Sequence, residues 1–173
     1  TTLYLKDFRS AERTFQLITQ VAGRTGRGPK GGRVIVQTVN SQHYSILAGS
    51  NHDYEGFARQ ELLYRSELNY PPFRRIIRIL VSGKSQEIIK NVIDKVAQQI
   101  TTELNGLIDT GDLEILGPAP APILRIRDRF RWHLVLKIKD LSSVQKYFKE
   151  ISKMPFIKGG VQISIDTDPV SLL

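Results

Sequence analysis

Apolar residues recur at helical intervals over 10–22, with Ala11, Phe15, Ile18 and Ala22 on one stripe, Ser10 placed to cap the start and Gly23 to stop the end. Residues 33–38, Arg-Val-Ile-Val-Gln-Thr, follow a Gly-Gly pair and read as a short buried strand, because β-branched side chains suit a pleated backbone. A short helix is predicted over 41–47. A longer one is predicted over 53–68, where Asp53 can cap and Phe57, Glu61, Tyr64 and Leu68 fall at helical spacing. The string Tyr70-Pro-Pro-Phe73 ends it, since proline lacks an amide donor and disfavours helix in the residue before it. A domain boundary is expected there.

Beyond 74 the pattern changes to alternation and back. Residues 74–82 place Ile77, Ile79 and Val81 on one side, and 85–104 carry a helical stripe of Ile88, Ile89, Val92, Ile93, Val96, Ile100 and Leu104. A short strand is expected at 113–116 and another at 131–138, with Trp132, Leu134, Leu136 and Ile138 inward. Asp140 caps a helix presenting Leu141, Val144, Phe148 and Ile151, and Val161, Ile163 and Ile165 close the set. The order β-α-β-β-α-β predicts a ferredoxin-like plait. Right-handed crossovers put its first and third strands at the centre and both helices on one face.

The opposite face of that sheet would carry Arg74, Ile76, Arg78, Arg131, His133, Val135 and Lys137. Like charges on adjacent strands destabilise unless something relieves them. An anion such as a nucleic-acid backbone would do so, and Arg74, Arg78, Arg131 and Lys137 are the candidate contacts. Equally, the face is solvated or packs on a larger body through Ile76 and Val135. Base reading by stacked aromatics is not expected, because this face shows none. Pro118-Ala-Pro-Ala-Pro122 suggests a stiff polyproline-like approach to a loop bearing Arg125, Arg127 and Arg129. Those arginines could grip phosphates or an acidic partner, or simply be solvated, and Asp128 among them weakens a pure phosphate reading.

Charge sharpens this picture. The chain has 173 residues with 25 Lys+Arg against 17 Asp+Glu, a formal +8 and a pI near 9.8, which favours an anionic partner. No apolar run approaches a membrane span, and no signal peptide is visible at Thr1. The absence of cysteine excludes a disulfide framework and a cysteine-ligated zinc site within this sequence. His43, His52 and His133 have no metal-ligand spacing, and no Ser-His-Asp grouping can be argued.

The candidate chemistry sits in Gln20-Val-Ala-Gly-Arg-Thr-Gly-Arg-Gly28, where Arg24 and Arg27 stand on a glycine-punctuated turn delivered by the first helix. A guanidinium is always charged and grips phosphoryl oxygens through a planar fork. This string resembles the last conserved motif of superfamily 2 helicases. The resemblance implies that Arg27 and Arg24 act catalytically at the γ-phosphate of ATP and that Gln20, Gly23 and Gly26 lie close to the nucleotide. No phosphate-cradling G-x-x-x-x-G-K-[ST] loop accompanies it, so this chain alone is not expected to hydrolyse ATP.

Four further strings, Asn69-Tyr-Pro-Pro-Phe73, Leu116-Gly-Pro-Ala-Pro-Ala-Pro122, Phe130-Arg-Trp-His-Leu-Val-Leu-Lys137 and Ile165-Asp-Thr-Asp-Pro169, join Asp7-Phe-Arg-Ser-Ala-Glu-Arg-Thr-Phe-Gln16. Together they resemble the primosomal replication protein N-prime, or PriA helicase, family over essentially the whole chain. The resemblance implies a mixed α/β (α+β) chain: 1–50 the C-terminal part of a second RecA-like lobe, 51–73 a bridging helix and linker, 74–173 the plait. It also implies an ATP-dependent, Mg-dependent 3′-to-5′ DNA helicase of replication restart with zinc bound upstream of Thr1. Implied partners are branched or single-stranded DNA, single-stranded-DNA-binding protein and primosome proteins, in a bacterial, nucleoid-associated cytoplasmic setting. The alternative class is a non-enzymatic nucleic-acid or protein docking module with a vestigial motor motif.

Overall fold

The structure, a computed structural model, describes residues 3, 7–25, 32–151 and 160–172, without the side chains of 149 and 150. The chain is mixed α+β and divides into two compact units, Thr1–Leu68 and Asn69–Leu173.

The first unit holds three helices, α1 (Ser10–Ala22), α2 (Tyr44–Ser50) and α3 (Tyr54–Glu67). Ser10 does not cap α1; it is a buried first-turn residue whose carbonyl accepts from the Thr14 hydroxyl at 2.8 Å. Asp7 does the anchoring, accepting from the Arg9 amide at 3.0 Å and pairing with Arg13 at 3.2 Å, where an acid also suits the positive end of the helix. Phe15 stacks on Phe57 of α3 at 4.3 Å, and Tyr44 of α2 stacks on the same ring. Beneath them the Glu61 carboxylate accepts from the Tyr44 hydroxyl at 2.5 Å and from Arg65, which also reaches Glu12 of α1 at 2.8 Å. Glu61 at a helical inner position is therefore a paired buried acid, whereas Tyr64 and Leu68 point to solvent. As predicted, Asp53 caps α3 by accepting from the Gly56 amide at 2.8 Å.

The strand expected at 33–38 is not formed. Ile35 is 81% and Val39 90% exposed, and a lone β-branched segment with no ladder beside it has nothing to satisfy its amides or cover its side chains.

The second unit has β1 (Arg75–Gly83), α4 (Gln86–Glu103), α5 (Asn105–Asp109), β2 (Leu113–Ile126), β3 (Arg129–Ile138), α6 (Gln145–Ile151) and β4 (Gln162–Thr167). The sheet order β2-β3-β1-β4 is antiparallel throughout, with the first and third strands central as predicted. Ile77, Ile79 and Val81 of β1 face Leu136, Leu134 and Trp132 of β3, and α4 and α6 cover this face through Ile89, Val92, Ile93, Val96, Ile100 and Ile151. Ile88, placed on the inner stripe by its spacing, lies on the solvent side. The last helix starts late. Hydroxyls of Ser142 and Ser143 bond Asp140 instead, at 2.5 and 2.7 Å, and leave a 3-10 turn at Leu141–Ser143 before α6.

The largest departure is β2. The proline run is not a separate approach but part of a fourteen-residue edge strand, which tolerates proline because its outer side needs no donors. Its register against β3 shifts between Leu116 and Ala119 and again between Pro120 and Arg125. Arg125 and Arg129 accordingly lie on paired strands of a hairpin, and only Arg127 and Asp128 form the turn.

One testable consequence concerns α2. Its N-cap is His43, whose Nδ1 accepts from the Ser45 amide at 3.3 Å and lies 2.8 Å from the Ser45 hydroxyl. Burial lowers the His43 pKa below its ordinary 6.5, outweighing the opposite pull of Glu61. The neutral ring is the one that caps, so this stabilisation is complete above pH 6.5 and is lost as pH falls through the lowered value. Amide-exchange protection factors across Tyr44–Ser50 should drop with acidification, and His43→Asn, which caps without titrating, should remove that dependence.

Candidate nucleic-acid interface

The arginine turn is described as far as Thr25. Gln20 on α1 and Arg24, just past its end, are exposed, and Leu17 and Val21 of α1 are exposed as well. Among the described residues no hydrogen bond or ion pair engages the Arg24 guanidinium. Gly23 closes the helix in the right-handed region, φ −68°, with its amide bonded to the Thr19 carbonyl at 2.9 Å. A Cβ there would lie 3.2 Å from that carbonyl oxygen, a tight contact on a backbone that any residue can adopt. Gly26 and Arg27 lie outside the described residues.

The open basic face expected on the plait does not exist. Ile76, Arg78, Val135 and Lys137 are all buried, Arg78 being 6% and Lys137 4% exposed. The register explains this. It sets an acid of an edge strand across from each central cation, Glu114 opposite Lys137 and Asp166 opposite Arg78. Lys137 Nζ donates to Glu114 at 3.2 Å and lies 4.3 Å over the Tyr70 ring. Arg78 reaches the Ser171 carbonyl at 3.5 Å, where the chain turns back over the sheet and buries Pro169 and Leu172. That return is fastened by Asp168, which pairs with Arg75, accepts from the Ile76 amide at 3.2 Å and donates its own amide to the Ile76 carbonyl at 2.7 Å. Arg78 and Lys137 are thus removed as contacts for an outside strand of DNA. Sequence reasoning missed the roles of Asp168 and Tyr70, whose only signal was their place in the quoted strings.

The remaining candidates separate. Arg74 is half-buried at the mouth of a groove of about 470 Å³ formed with Asn69, Thr101 and Glu114. Arg131 uses Nη1 to hold the Ile123 carbonyl at 3.3 Å, pinning the bulged stretch of β2. Arg125 pairs with Asp128 at 2.7 Å and lies over the Phe130 ring, and Arg127 is exposed at the turn. The structure therefore gathers the exposed cations at the hairpin rather than on the sheet. Among the described residues no group of His, Cys, Asp or Glu could hold a metal ion, and no helix is long and apolar enough to cross a membrane.

A model of the primosomal protein N C-terminal domain matches residues 66–170. The chain belongs to this PriA family. It is 41% identical over 178 residues to the replication restart protein PriA of Bacillus subtilis (strain 168), covering 100% of this chain and 21% of that protein. The PriA of Synechocystis sp. is 40% identical over 170 residues, with 98% and 20% covered, and that of Treponema pallidum 33% over 173, with 100% and 26%. The chain thus spans about a fifth to a quarter of the length of these PriA relatives. The match covers both the arginine turn and the plait.

For a PriA plait sealed in this way, Lys137→Ala should act on stability and not on binding. Loss of the pair with half-exposed Glu114 and of the contact with Tyr70 is expected to cost about 1–3 kcal/mol. Urea unfolding followed through Trp132, the single tryptophan, measures it. Unchanged stability with weakened oligonucleotide affinity would return Lys137 to the surface.

Proposed function

We propose that this chain is the C-terminal part of an ATP-dependent 3′-to-5′ DNA helicase that restarts replication forks and directs primosome assembly. The observation that carries the reading is the whole-chain match to proteins named replication restart protein PriA, with Arg24 exposed on the turn that resembles the last superfamily 2 motif. In this reading Arg24 and Arg27 are presented by the end of α1 to nucleotide held by another part of the protein. ATP with Mg supplies the transferable phosphoryl group when bound, and the guanidinium forks neutralise its developing charge. Gln20 and Gly23 flank that approach, and Gly26 is the third residue expected close to the nucleotide.

The residues present here suit an anion, and in this reading zinc is held by the protein upstream of Thr1. Exposed Leu17, Val21, Ile35 and Val39 on the first unit fit a surface that seats on the rest of a motor lobe, and the second unit supplies an accessory domain for branched or single-stranded DNA. Single-stranded-DNA-binding protein and primosome proteins are the protein partners of this reading, in a bacterial cytoplasm at the nucleoid.

The test uses the full-length protein. Arg27→Ala should reduce DNA-stimulated ATP hydrolysis by ~10³ to 10⁵, with much smaller loss of nucleotide affinity. Near-normal turnover in that variant would contradict the assignment.

A further inference from the structure

Four arginines and one aspartate lie between Ile123 and Arg131, and the fold treats them unequally. Arg125 is spent on Asp128 and the Phe130 ring. Arg129 donates Nη2 to the carbonyls of Ser82 at 3.0 Å and Gly160 at 2.9 Å, tying the β3 side of the turn to the end of β1 and to the chain entering β4. Arg131 holds the Ile123 carbonyl. Arg127 alone of the four has no hydrogen bond or ion pair among the described residues.

Its backbone is unusual as well. Arg127 and Asp128 occupy the centre of a two-residue turn with φ of 47° and 61°, closed by the Ile126 and Arg129 pair. Such turns favour asparagine and glycine, because both central residues sit in the left-handed region. A braced hairpin that holds an arginine in this conformation at its apex is an outlier that points to use. Around the apex Ile123, Leu124 and Ile126 are exposed, Ile126 by 43%.

We propose that this turn is a wedge for a nucleic-acid junction, with Arg127 on a backbone phosphate and Ile126 against the face of the last base pair. It rests on the DNA-binding part of the function proposed above. Charge chooses an anion, since Asp128 is already neutralised by Arg125. Shape chooses a nucleic acid over an acidic peptide: Arg127 stands exposed at the tip of a two-residue turn, and the adjoining edge of β2 carries Pro118, Pro120 and Pro122, which cannot donate to an added strand. The apolar residues choose a junction over closed duplex, because base faces are open only where pairing stops, and apolar wedges act by covering them.

The test uses residues 1–173 and fluorescence anisotropy on a blunt duplex, the same duplex with two unpaired arms, and one arm alone, each across a salt series. The unaltered chain should prefer the forked form. Arg127→Asn suits the left-handed turn, so the melting temperature should hold or rise, while affinity for all three falls about tenfold and the log–log salt slope becomes shallower by about 0.7–0.9. Arg127→Lys should keep the slope. Ile126→Ser should keep the slope and lose the preference for the fork. Equal binding of fork and blunt duplex by the unaltered chain, or unaltered binding by Arg127→Asn, would overturn the proposal. So would tighter binding of an aspartate-rich peptide with apolar residues that Arg127→Asn abolishes. Either failure leaves the helicase reading standing, since that depends on turnover in Arg27→Ala, and loss of turnover there says nothing of this hairpin.

Discussion

Everything in the plait depends on the pairing of β1 with β3, two central strands buried on both faces. In the observed register Ile77, Ile79 and Val81 meet Leu136, Leu134 and Trp132 on the helix side. Ile76 meets Lys137 and Arg78 meets Val135 on the other. A one-residue slip would turn both cations into the apolar core and expose the isoleucines, so the register is strongly specified. The second face is amphipathic. The aliphatic stems of Arg78 and Lys137 are buried beside Ile76 and Val135, while the Lys137 ammonium is met by Glu114 and the Arg78 guanidinium by the Ser171 carbonyl.

Those edges come from distant parts of the sequence. Glu114 arrives on β2, Asp166 on β4, Tyr70 from the linker and Ser171 from the returning tail. The strings around Asn69-Tyr-Pro-Pro-Phe73 and Ile165-Asp-Thr-Asp-Pro169 thereby acquire a physical role, because they cover and fasten one face of a four-stranded sheet. A face closed by its own chain is unavailable to a nucleic-acid strand. The accessible cationic chemistry moves to the ends of the molecule's elements, at Arg24 after α1 and at Arg127 between β2 and β3.

The helix-side half of this fold was legible in the sequence. Alternation in β1 and β3, the isoleucine and valine stripe of α4 and the capping residue Asp53 each act locally, so each could be read from spacing. The second face was not legible, since Arg78 and Lys137 look like surface cations until the register places Asp166 and Glu114 across from them. Strand 33–38 failed for the converse reason: its residues favour a strand, but a strand needs a neighbour. The proline run misled because proline also marks a tolerant edge, and Ser142 and Ser143 drew the last helix back by bonding Asp140. The arginine turn was legible as a motif, yet nothing in its spacing shows what lies across from Arg24.

Lysine reactivity tests the sealed face most directly. Lys137 and Lys139 are two residues apart, with side chains 5% and 72% exposed. Brief acetylation under native conditions, read by peptide mass spectrometry, should modify Lys139 while Lys137 stays protected until the chain is unfolded. Equal modification of the two in the folded chain would mean that the second face is open, and the account of this domain would be wrong.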